Sequence, residues 1–188
     1  MPSRNSQQRY SRLVVGITGR IGAGKTSVGR YLESRLGFYY IRYSQVLSDW
    51  QAKDPESKVH LQSVGWEVMA GGMQQELNHR LITRIESQDR CAVDGLRHPL
   101  DYESLSKAFT SRFYLLSIES PLETRRQRLR DRYSEFEQFS AADAHPVEQH
   151  IDSLRDKAFA IVSNVGSLEE LYAKVDAVLG QIGPGGLL

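Results

Sequence analysis

The stretch that decides the fold is LVVGITGRIGAGKT, residues 13–26 of the chain. Its first part, residues 13–17, is an apolar run of the kind that is buried on both faces of a parallel sheet. Residues 19–26 then match the pattern G-x-x-x-x-G-K-[ST]. Apolar residues recur after the loop at helical spacing, at Val28, Leu32 and Leu36. A strand, a glycine-rich loop and a helix in this order predict a phosphate-binding loop, or P-loop.

The residue types of this loop suit a nucleoside triphosphate. Glycines let backbone N–H groups approach phosphate oxygens with no Cβ in the way. The Lys25 ammonium is expected to reach the β- and γ-phosphates, and the Thr26 hydroxyl to bind Mg²⁺. A glycine-rich turn without a ligand is the alternative, but a chance match is expected at only about half a per cent. The loop residues predicted to hold ATP are Gly19, Gly22, Ala23, Gly24, Lys25, Thr26 and Ser27.

Short apolar runs alternate with helical patterns along the rest of the chain. Strands are predicted over residues 38–41, 91–93, 113–118 and 160–162. Helices are predicted over residues 46–50, 61–69, 77–85, 102–109, 122–133 and 147–157, with a polar loop over 134–146. A final helix is expected to begin after Ser167, which forms a capping box with Glu170. The alternation predicts an α/β fold, a parallel sheet covered by helices on both faces.

The composition fits one intracellular domain. The chain has 188 residues with a formal net charge of +1, so its overall charge gives no pull toward nucleic acid or anionic membranes. A single cysteine, Cys91, excludes an internal disulfide framework and a cysteine-rich zinc site. The absence of a long apolar run argues against a membrane span or a signal peptide, and a cytoplasmic protein is expected. The predicted domain covers residues 12–182, between a disordered leader (1–11) and a flexible tail (183–188).

A carboxylate is predicted beside the P-loop. Asp94 follows the apolar residues 91–93, and ligands of open α/β sheets bind at the carboxyl ends of strands. It is expected to help hold Mg²⁺, or to accept a proton from a substrate hydroxyl. A turn aspartate is the alternative reading, because Asp-Gly is a common turn pair.

Arginine is the unusual residue of this sequence, with 18 arginines against 6 lysines. Five of them fall within residues 125–132, and a helix there would place Arg125, Arg128 and Arg132 on one face. That face is predicted to clamp the transferring phosphoryl group beneath a lid of about residues 133–147. Arg126 and Arg130 are expected to face solvent. The alternatives are a solvated basic helix that faces its own acidic loop, and a nucleic-acid helix that lacks interleaved aromatic residues.

Four motifs together resemble the nucleoside and nucleotide kinase branch of the P-loop proteins. They are the P-loop, VDGLRHP at residues 93–99, PLETR at 121–125 with Arg128, Leu129 and Arg132, and VSNVGSLEEL at 162–171. That branch includes adenylate kinases, dephospho-CoA kinases and deoxynucleoside monophosphate kinases. The resemblance implies a five-stranded parallel sheet, a helical acceptor region and a mobile arginine-bearing lid. It also implies that Arg97 contacts the acceptor phosphate and that Asn164 lies near the adenine of ATP.

Two departures from these kinases leave the acceptor open. The helix after the second strand lacks the arginine of adenylate kinases, and RYS at residues 42–44 stands where dephospho-CoA kinases carry an aspartate pair. Tyr43 is a candidate to hydrogen-bond the acceptor. The leading hypothesis is an ATP- and Mg²⁺-dependent kinase for a (deoxy)nucleoside monophosphate; dephospho-CoA kinase and a non-catalytic ATP sensor are the alternatives. No membrane or nucleic-acid partner is expected, and a homodimer is left open.

Overall fold

The computed structural model describes residues 13–51 and 58–182. A parallel sheet of five strands in the order β2-β3-β1-β4-β5 forms its centre. The strands are β1 (Leu13–Thr18), β2 (Tyr39–Arg42), β3 (Arg90–Asp94), β4 (Phe113–Glu119) and β5 (Ala160–Ser163). The helices are α1 (Lys25–Leu36), α2 (Tyr43–Gln51), α3 (Lys58–Ala70), α4 (Gln74–Ile85), α5 (Pro99–Phe109), α6 (Leu122–Arg128), α7 (Phe136–Asp143), α8 (Ile151–Arg155) and α9 (Leu168–Gln181). The α/β fold predicted from the alternating pattern is confirmed.

The central strands are buried on both faces, as their unbroken apolar runs predict. Alternate side chains of a strand point to opposite faces, so Val14 packs with the helices on one side and Val15 with those on the other. Helices α2 to α5 and α8 cover the first face, while α1 and α9 cover the second. A parallel sheet needs both layers, because each strand carries apolar side chains on both of its faces.

The strand order places a crevice beside β1. The chain leaves β1 toward β2 on one side and later crosses to β4 on the other, so the connections diverge between β3 and β1. Ligands of open α/β sheets bind at such a point, at the carboxyl ends of the strands. Here that edge carries the P-loop, which follows Thr18, and Asp94 at the end of β3.

The segment after β4 differs from its prediction. The helix predicted over residues 122–133 ends at Arg128, because the chain turns at Leu129 and two later N–H groups bond back to the Leu129 carbonyl. The predicted loop over residues 134–146 contains α7. Both differences have one cause: Leu129, Tyr133 and Phe139 fold back onto Ile21 of the P-loop and form a separate apolar cluster.

Other predictions hold with small changes of boundary, and some concern residues that the structure does not describe. One helix was predicted over residues 147–157, and the structure has a 3-10 turn (Pro146–Glu148) followed by the short helix α8. Ser167 caps α9 as predicted, since its hydroxyl accepts from the Glu170 N–H at 3.2 Å. The predicted leader, the tail and the polar stretch near Asp54 and Pro55 lie outside the described residues. No helix in the described part of the chain is long and apolar enough to cross a membrane.

Candidate active site

The P-loop is built from glycines in conformations that other residues avoid. Gly19, Gly22 and Gly24 have φ values of 139°, 78° and 108°, in the region that favours glycine. A Cβ on Gly19 would overlap the Ile118 carbonyl oxygen, and a Cβ on Gly24 would overlap the Asn164 amide nitrogen. The loop therefore passes closer to β4 and to the end of β5 than side chains allow, and the G-x-x-x-x-G spacing has a steric reason.

Asn164 binds the P-loop through a side-chain hydrogen bond. Its amide nitrogen donates to the Ala23 carbonyl at 2.8 Å, and its side-chain oxygen accepts from Arg128 at 3.2 Å. The Arg128 guanidinium also contacts the Asn164 carbonyl oxygen and the Ser120 hydroxyl. Asn164 and Arg128 thus lie together beside the P-loop, and Asn164 supports the loop through its side chain.

Lys25 lies folded over the P-loop. Its ammonium donates to the carbonyl oxygens of Gly19, at 2.6 Å, and Arg20, at 3.0 Å. Burial lowers the pKa of this ammonium, while the carboxylates of Glu148 and Asp94 act in the opposite direction. Negative phosphate oxygens are better partners for a poorly solvated ammonium than neutral carbonyls are. The Lys25 ammonium is therefore suited to leave the two carbonyls and bind phosphate oxygens instead.

Asp94 faces Thr26 across the crevice, as the sequence predicts. Its Oδ2 accepts from the Thr26 hydroxyl at 3.2 Å and from the Tyr40 hydroxyl at 2.7 Å. Burial and the Asp94 carboxylate both raise the pKa of Tyr40 well above its usual range, so this hydroxyl stays a donor. The described residues contain no cluster of three or more His, Cys, Asp or Glu side chains fit to hold a metal. One hydroxyl and one carboxylate still fit Mg²⁺, which commonly takes one or two protein oxygens and completes its shell with phosphates and water.

Two cavities border the P-loop, and they differ in whether carboxylates pair with their arginines. A cavity of about 410 Å³ is lined by Arg20, Arg125 and Arg155, and a carboxylate pairs with each of them: Asp152, Asp143 and Glu119 respectively. A cavity of about 380 Å³ contains Lys25, Thr26 and Asp94 and is lined by Arg42, Arg128 and Arg132. None of these last three forms an ion pair with a carboxylate among the described residues. The second cavity is therefore the one with cationic charge to offer a phosphate.

The 380 Å³ cavity is also lined by Arg97 and Tyr43, the two residues predicted to bind the acceptor, and both are already engaged by the protein. The Arg97 Nε lies 3.0 Å from Oε1 of the buried Glu148, an ion pair that holds its side chain against the cavity wall. The Tyr43 hydroxyl donates to Asn78 Oδ1 at 2.6 Å. The structure brings both side chains to the cavity, and their contact with an acceptor stays a prediction.

Arg125 does not lie where a phosphate clamp requires. It is buried, and its guanidinium donates to the carbonyls of Ser120 and Ile21 and to both oxygens of Asp143. Arg132 lines the cavity, but from the turn after α6, so the predicted common helix face of Arg125, Arg128 and Arg132 is wrong. Arg128 and Arg132 stay candidates for contact with a nucleotide, and Arg125 is a structural link between the P-loop and α7.

Sequence reasoning missed two residues that line this cavity, Arg42 and Gln74, and the buried Glu148 that pairs with Arg97 in its wall. Arg42 ends β2 and lies opposite Asp94 in the register of the sheet. Its position at a strand's carboxyl end was a usable signal. Glu148 and Gln74 are buried polar residues on a 3-10 turn and at the start of α4. No local pattern marks them, because only the packing of distant segments buries them.

This strand–loop–helix with a lysine, a hydroxyl and a facing carboxylate defines the class of P-loop phosphate-binding proteins. A family described as an AAA domain matches residues 15–148. The chain belongs to this family, and its fold is shared with the kinases of known structure described below.

Two relatives align with only part of their length. A UPF0200 protein of Methanothermobacter thermautotrophicus is 33% identical over 130 residues, which are 65% of this chain and 63% of that protein. A dephospho-CoA kinase of Methylococcus capsulatus is 32% identical over 127 residues, 64% of this chain and 63% of that protein. The chain thus spans less than two thirds of the length of either relative.

Solved structures agree on the fold. A shikimate kinase from Acinetobacter baumannii superposes with a TM-score of 0.62 at 17% identity, over 92% of this chain and 95% of that one. A gluconokinase from Sinorhizobium meliloti gives 0.63 at 15% identity, over 93% of this chain and 95% of that one. At these identities the similarity concerns the fold alone.

The tight approach of Gly24 to Asn164 gives a first prediction. Gly24→Ala is expected to lower the free energy of unfolding by about 1–3 kcal/mol and to weaken nucleotide binding, because it combines a positive φ with an overlap that displaces Asn164. Gly37→Ala is the matched control: its φ of 69° is also positive, but nothing lies within 4 Å of the added Cβ. Urea unfolding and titration with a fluorescent ATP analogue measure both variants. Equal losses of nucleotide affinity in the two would contradict the role of the Asn164 contact.

Proposed function

We propose that this chain is an ATP- and Mg²⁺-dependent kinase that transfers a phosphoryl group to a (deoxy)nucleoside monophosphate. The observation that carries the proposal is the 380 Å³ cavity, which joins Lys25, Thr26 and Asp94 at one end to apolar walls and buried polar groups at the other. Arg42 and Arg132 also line it without a carboxylate partner among the described residues. A site with anion-binding groups beside an apolar slot fits a phosphate joined to a flat, neutral ring.

Each residue has a defined part in this mechanism. The P-loop backbone and Lys25 bind the donor triphosphate, and Thr26 and Asp94 supply the protein oxygens for Mg²⁺. Mg²⁺, when bound, neutralises developing charge on the β- and γ-phosphate oxygens. Arg42 holds the acceptor phosphate in line with the donor, and Arg132 stabilises charge on the transferring group. Positioning and electrostatic stabilisation suffice for this chemistry, so no covalent nucleophile is required.

Dephospho-CoA is the second candidate acceptor. A relative of that name supports it, at 32% identity over part of its length. The sequence RYS at residues 42–44, in place of the aspartate pair, speaks against it. A dephospho-CoA kinase must deprotonate a hydroxyl, and in this structure Asp94 is the carboxylate beside Thr26 that could take that proton. A nucleotide sensor without transfer is the third reading.

ADP release distinguishes the three readings. The purified chain is incubated with ATP, Mg²⁺ and, in separate reactions, each ribo- and deoxyribonucleoside monophosphate and dephospho-CoA. We expect ADP release that requires one monophosphate and stops when EDTA removes the metal. Release with dephospho-CoA alone would assign the second candidate, and tight ATP binding without release on any acceptor would assign the sensor.

A further inference from the structure

Gln74 and Arg97 both line the cavity with a buried polar atom that makes no hydrogen bond among the described residues, but Arg97 Nε has an ion-pair partner in Glu148 and Gln74 Oε1 has none. Gln74 begins α4 and is 3% exposed, and its side chain lines the cavity that also contains Lys25. Its Nε2 donates to Asp101 Oδ1 at 2.6 Å, while its Oε1 has no hydrogen-bond partner among the described residues. A buried oxygen without a partner carries a desolvation cost of about 1–3 kcal/mol. Native proteins seldom leave such a group unused, so this oxygen calls for an explanation.

The hydrogen bonds of Asp101 determine which atom of the Gln74 side-chain amide has no partner. Its other oxygen, Oδ2, accepts from the backbone N–H groups of Arg97 and His98, both at 2.9 Å. An ionised carboxylate accepts hydrogen bonds and donates none. Burial raises the pKa of Asp101, while the hydrogen bonds from the two backbone N–H groups and from Gln74 act in the opposite direction. With the carboxylate ionised, turning the Gln74 amide over would place oxygen against oxygen, so Nε2 lies on Asp101 and Oε1 is left without a partner among the described residues. Gln74 therefore holds an oriented hydrogen-bond acceptor, buried in the wall of the cavity.

The surroundings of Gln74 indicate what kind of group this oxygen meets. The same cavity is lined by the apolar side chains of Leu47, Leu61, Met69, Leu77 and Val147. Apolar walls with one oriented polar atom suit a flat ring that buries its faces and presents an N–H group at its edge. Arg42 and Arg132, which have no carboxylate partner in the described part of the chain, line the same cavity and can take the negative end of the ligand.

We propose that Gln74 selects the acceptor: its Oε1 accepts a hydrogen bond from an amino or ring N–H group on the base of the nucleoside monophosphate. This proposal rests on the proposed function and identifies the atom of that site that recognises the base of the acceptor. A site that hydrogen-bonds a substrate group rejects an analogue without that group, because its own buried atom is then left unpaired. Gln74 is accordingly a specificity-determining residue, and the donor nucleotide does not contact it.

The test combines a protein variant with a ligand variant. The monophosphate that the wild-type protein prefers is compared with its analogue lacking the N–H group: the 6-deamino purine for dAMP, 2-pyrimidinone for dCMP or N3-methylthymine for dTMP. Guanine has two such groups, so dGMP is compared with the hypoxanthine analogue, which lacks the 2-amino group, and with the N1-methylguanine analogue, which lacks the ring N–H. We expect wild-type kcat/KM to fall about tenfold or more with the analogue. In Gln74→Leu, both ligands should perform equally at the lower level, with a raised KM for the acceptor and an unchanged KM for ATP.

The control variant lies one residue away. Gln75 is on the same helix with its side chain exposed, so Gln75→Leu makes the same change outside the cavity and should keep the wild-type preference. Folding is not at issue in the analogue comparison, because it uses the wild-type protein, and thermal melting checks the two variants. A 3′-deoxy monophosphate is also included, since a sugar hydroxyl could supply the donor instead.

Each outcome decides between the proposals. Loss of base discrimination in Gln74→Leu, with discrimination retained in Gln75→Leu, supports base reading. Full discrimination in Gln74→Leu overturns it, as does a loss that affects only the 3′-deoxy ligand. Absence of turnover by the wild-type protein with every monophosphate would overturn the proposed function itself, and base reading with it.

Discussion

Lys25→Ala is expected to lower phosphoryl transfer by roughly a hundred- to a thousandfold, the cost of removing one preorganised donor from a transition-state site. In the free protein the Lys25 ammonium spans the Gly19 and Arg20 carbonyls, within 3.0 Å of both. Negative phosphate oxygens would replace those carbonyls when a nucleotide binds. The interaction strengthens as charge develops on the transferring group, so the loss should fall mainly on kcat.

The fold should survive this substitution. Asp94 keeps its hydrogen bonds from Thr26 and Tyr40, and Glu148 keeps its ion pair with Arg97, so neither carboxylate near Lys25 is left without a partner. Lys107→Ala is the matched control, because Lys107 is exposed on α5 and should leave turnover unchanged. Coupled ADP release measures both variants, and circular dichroism confirms their folding. Wild-type turnover in a folded Lys25→Ala protein would refute the role assigned to the P-loop.

The P-loop and the sheet could be predicted because their causes are local. The sequence of residues 13–26 contains the buried strand, the glycines and the lysine, and the structure places each as expected. Asp94 followed from one further rule, that ligands meet the carboxyl ends of parallel strands. These inferences use spacing and residue type alone, and no information about packing.

The arginine segment could not be predicted in the same way. Residues 122–133 have good helical propensity, but Tyr133 gains more by packing with Phe139 and Ile21 than by extending a solvated helix. One signal was available for α7, since Phe136, Phe139 and Ala142 are spaced by three residues. The partners of Arg125 and Gln74 lie 18 and 27 residues away, so only the folded chain reveals them.

Arg125→Ala is expected to lower the free energy of unfolding by about 3–5 kcal/mol, the cost of breaking a buried ion pair on one side. The side chains of Arg125 and Asp143 are 5% and 12% exposed, so water cannot replace the lost partner. The Ile21 and Ser120 carbonyls lose a donor as well. Because Ile21 belongs to the P-loop, nucleotide affinity should weaken together with stability.

A second variant separates the ion pair from simple loss of packing. Arg125→Met combined with Asp143→Leu replaces both charges by apolar groups of similar size, and should recover a large part of the lost stability, because no buried charge is left unpaired. Arg126→Ala is the control: Arg126 is on the same helix, is half-buried, pairs loosely with Glu123 at 3.6 Å and lies over the Phe136 ring, so its loss should change stability by no more than about 1 kcal/mol. Urea unfolding measures the series. If Arg125 were instead a phosphate clamp, Arg125→Ala would reduce kcat with little change in stability, and the double variant would recover nothing.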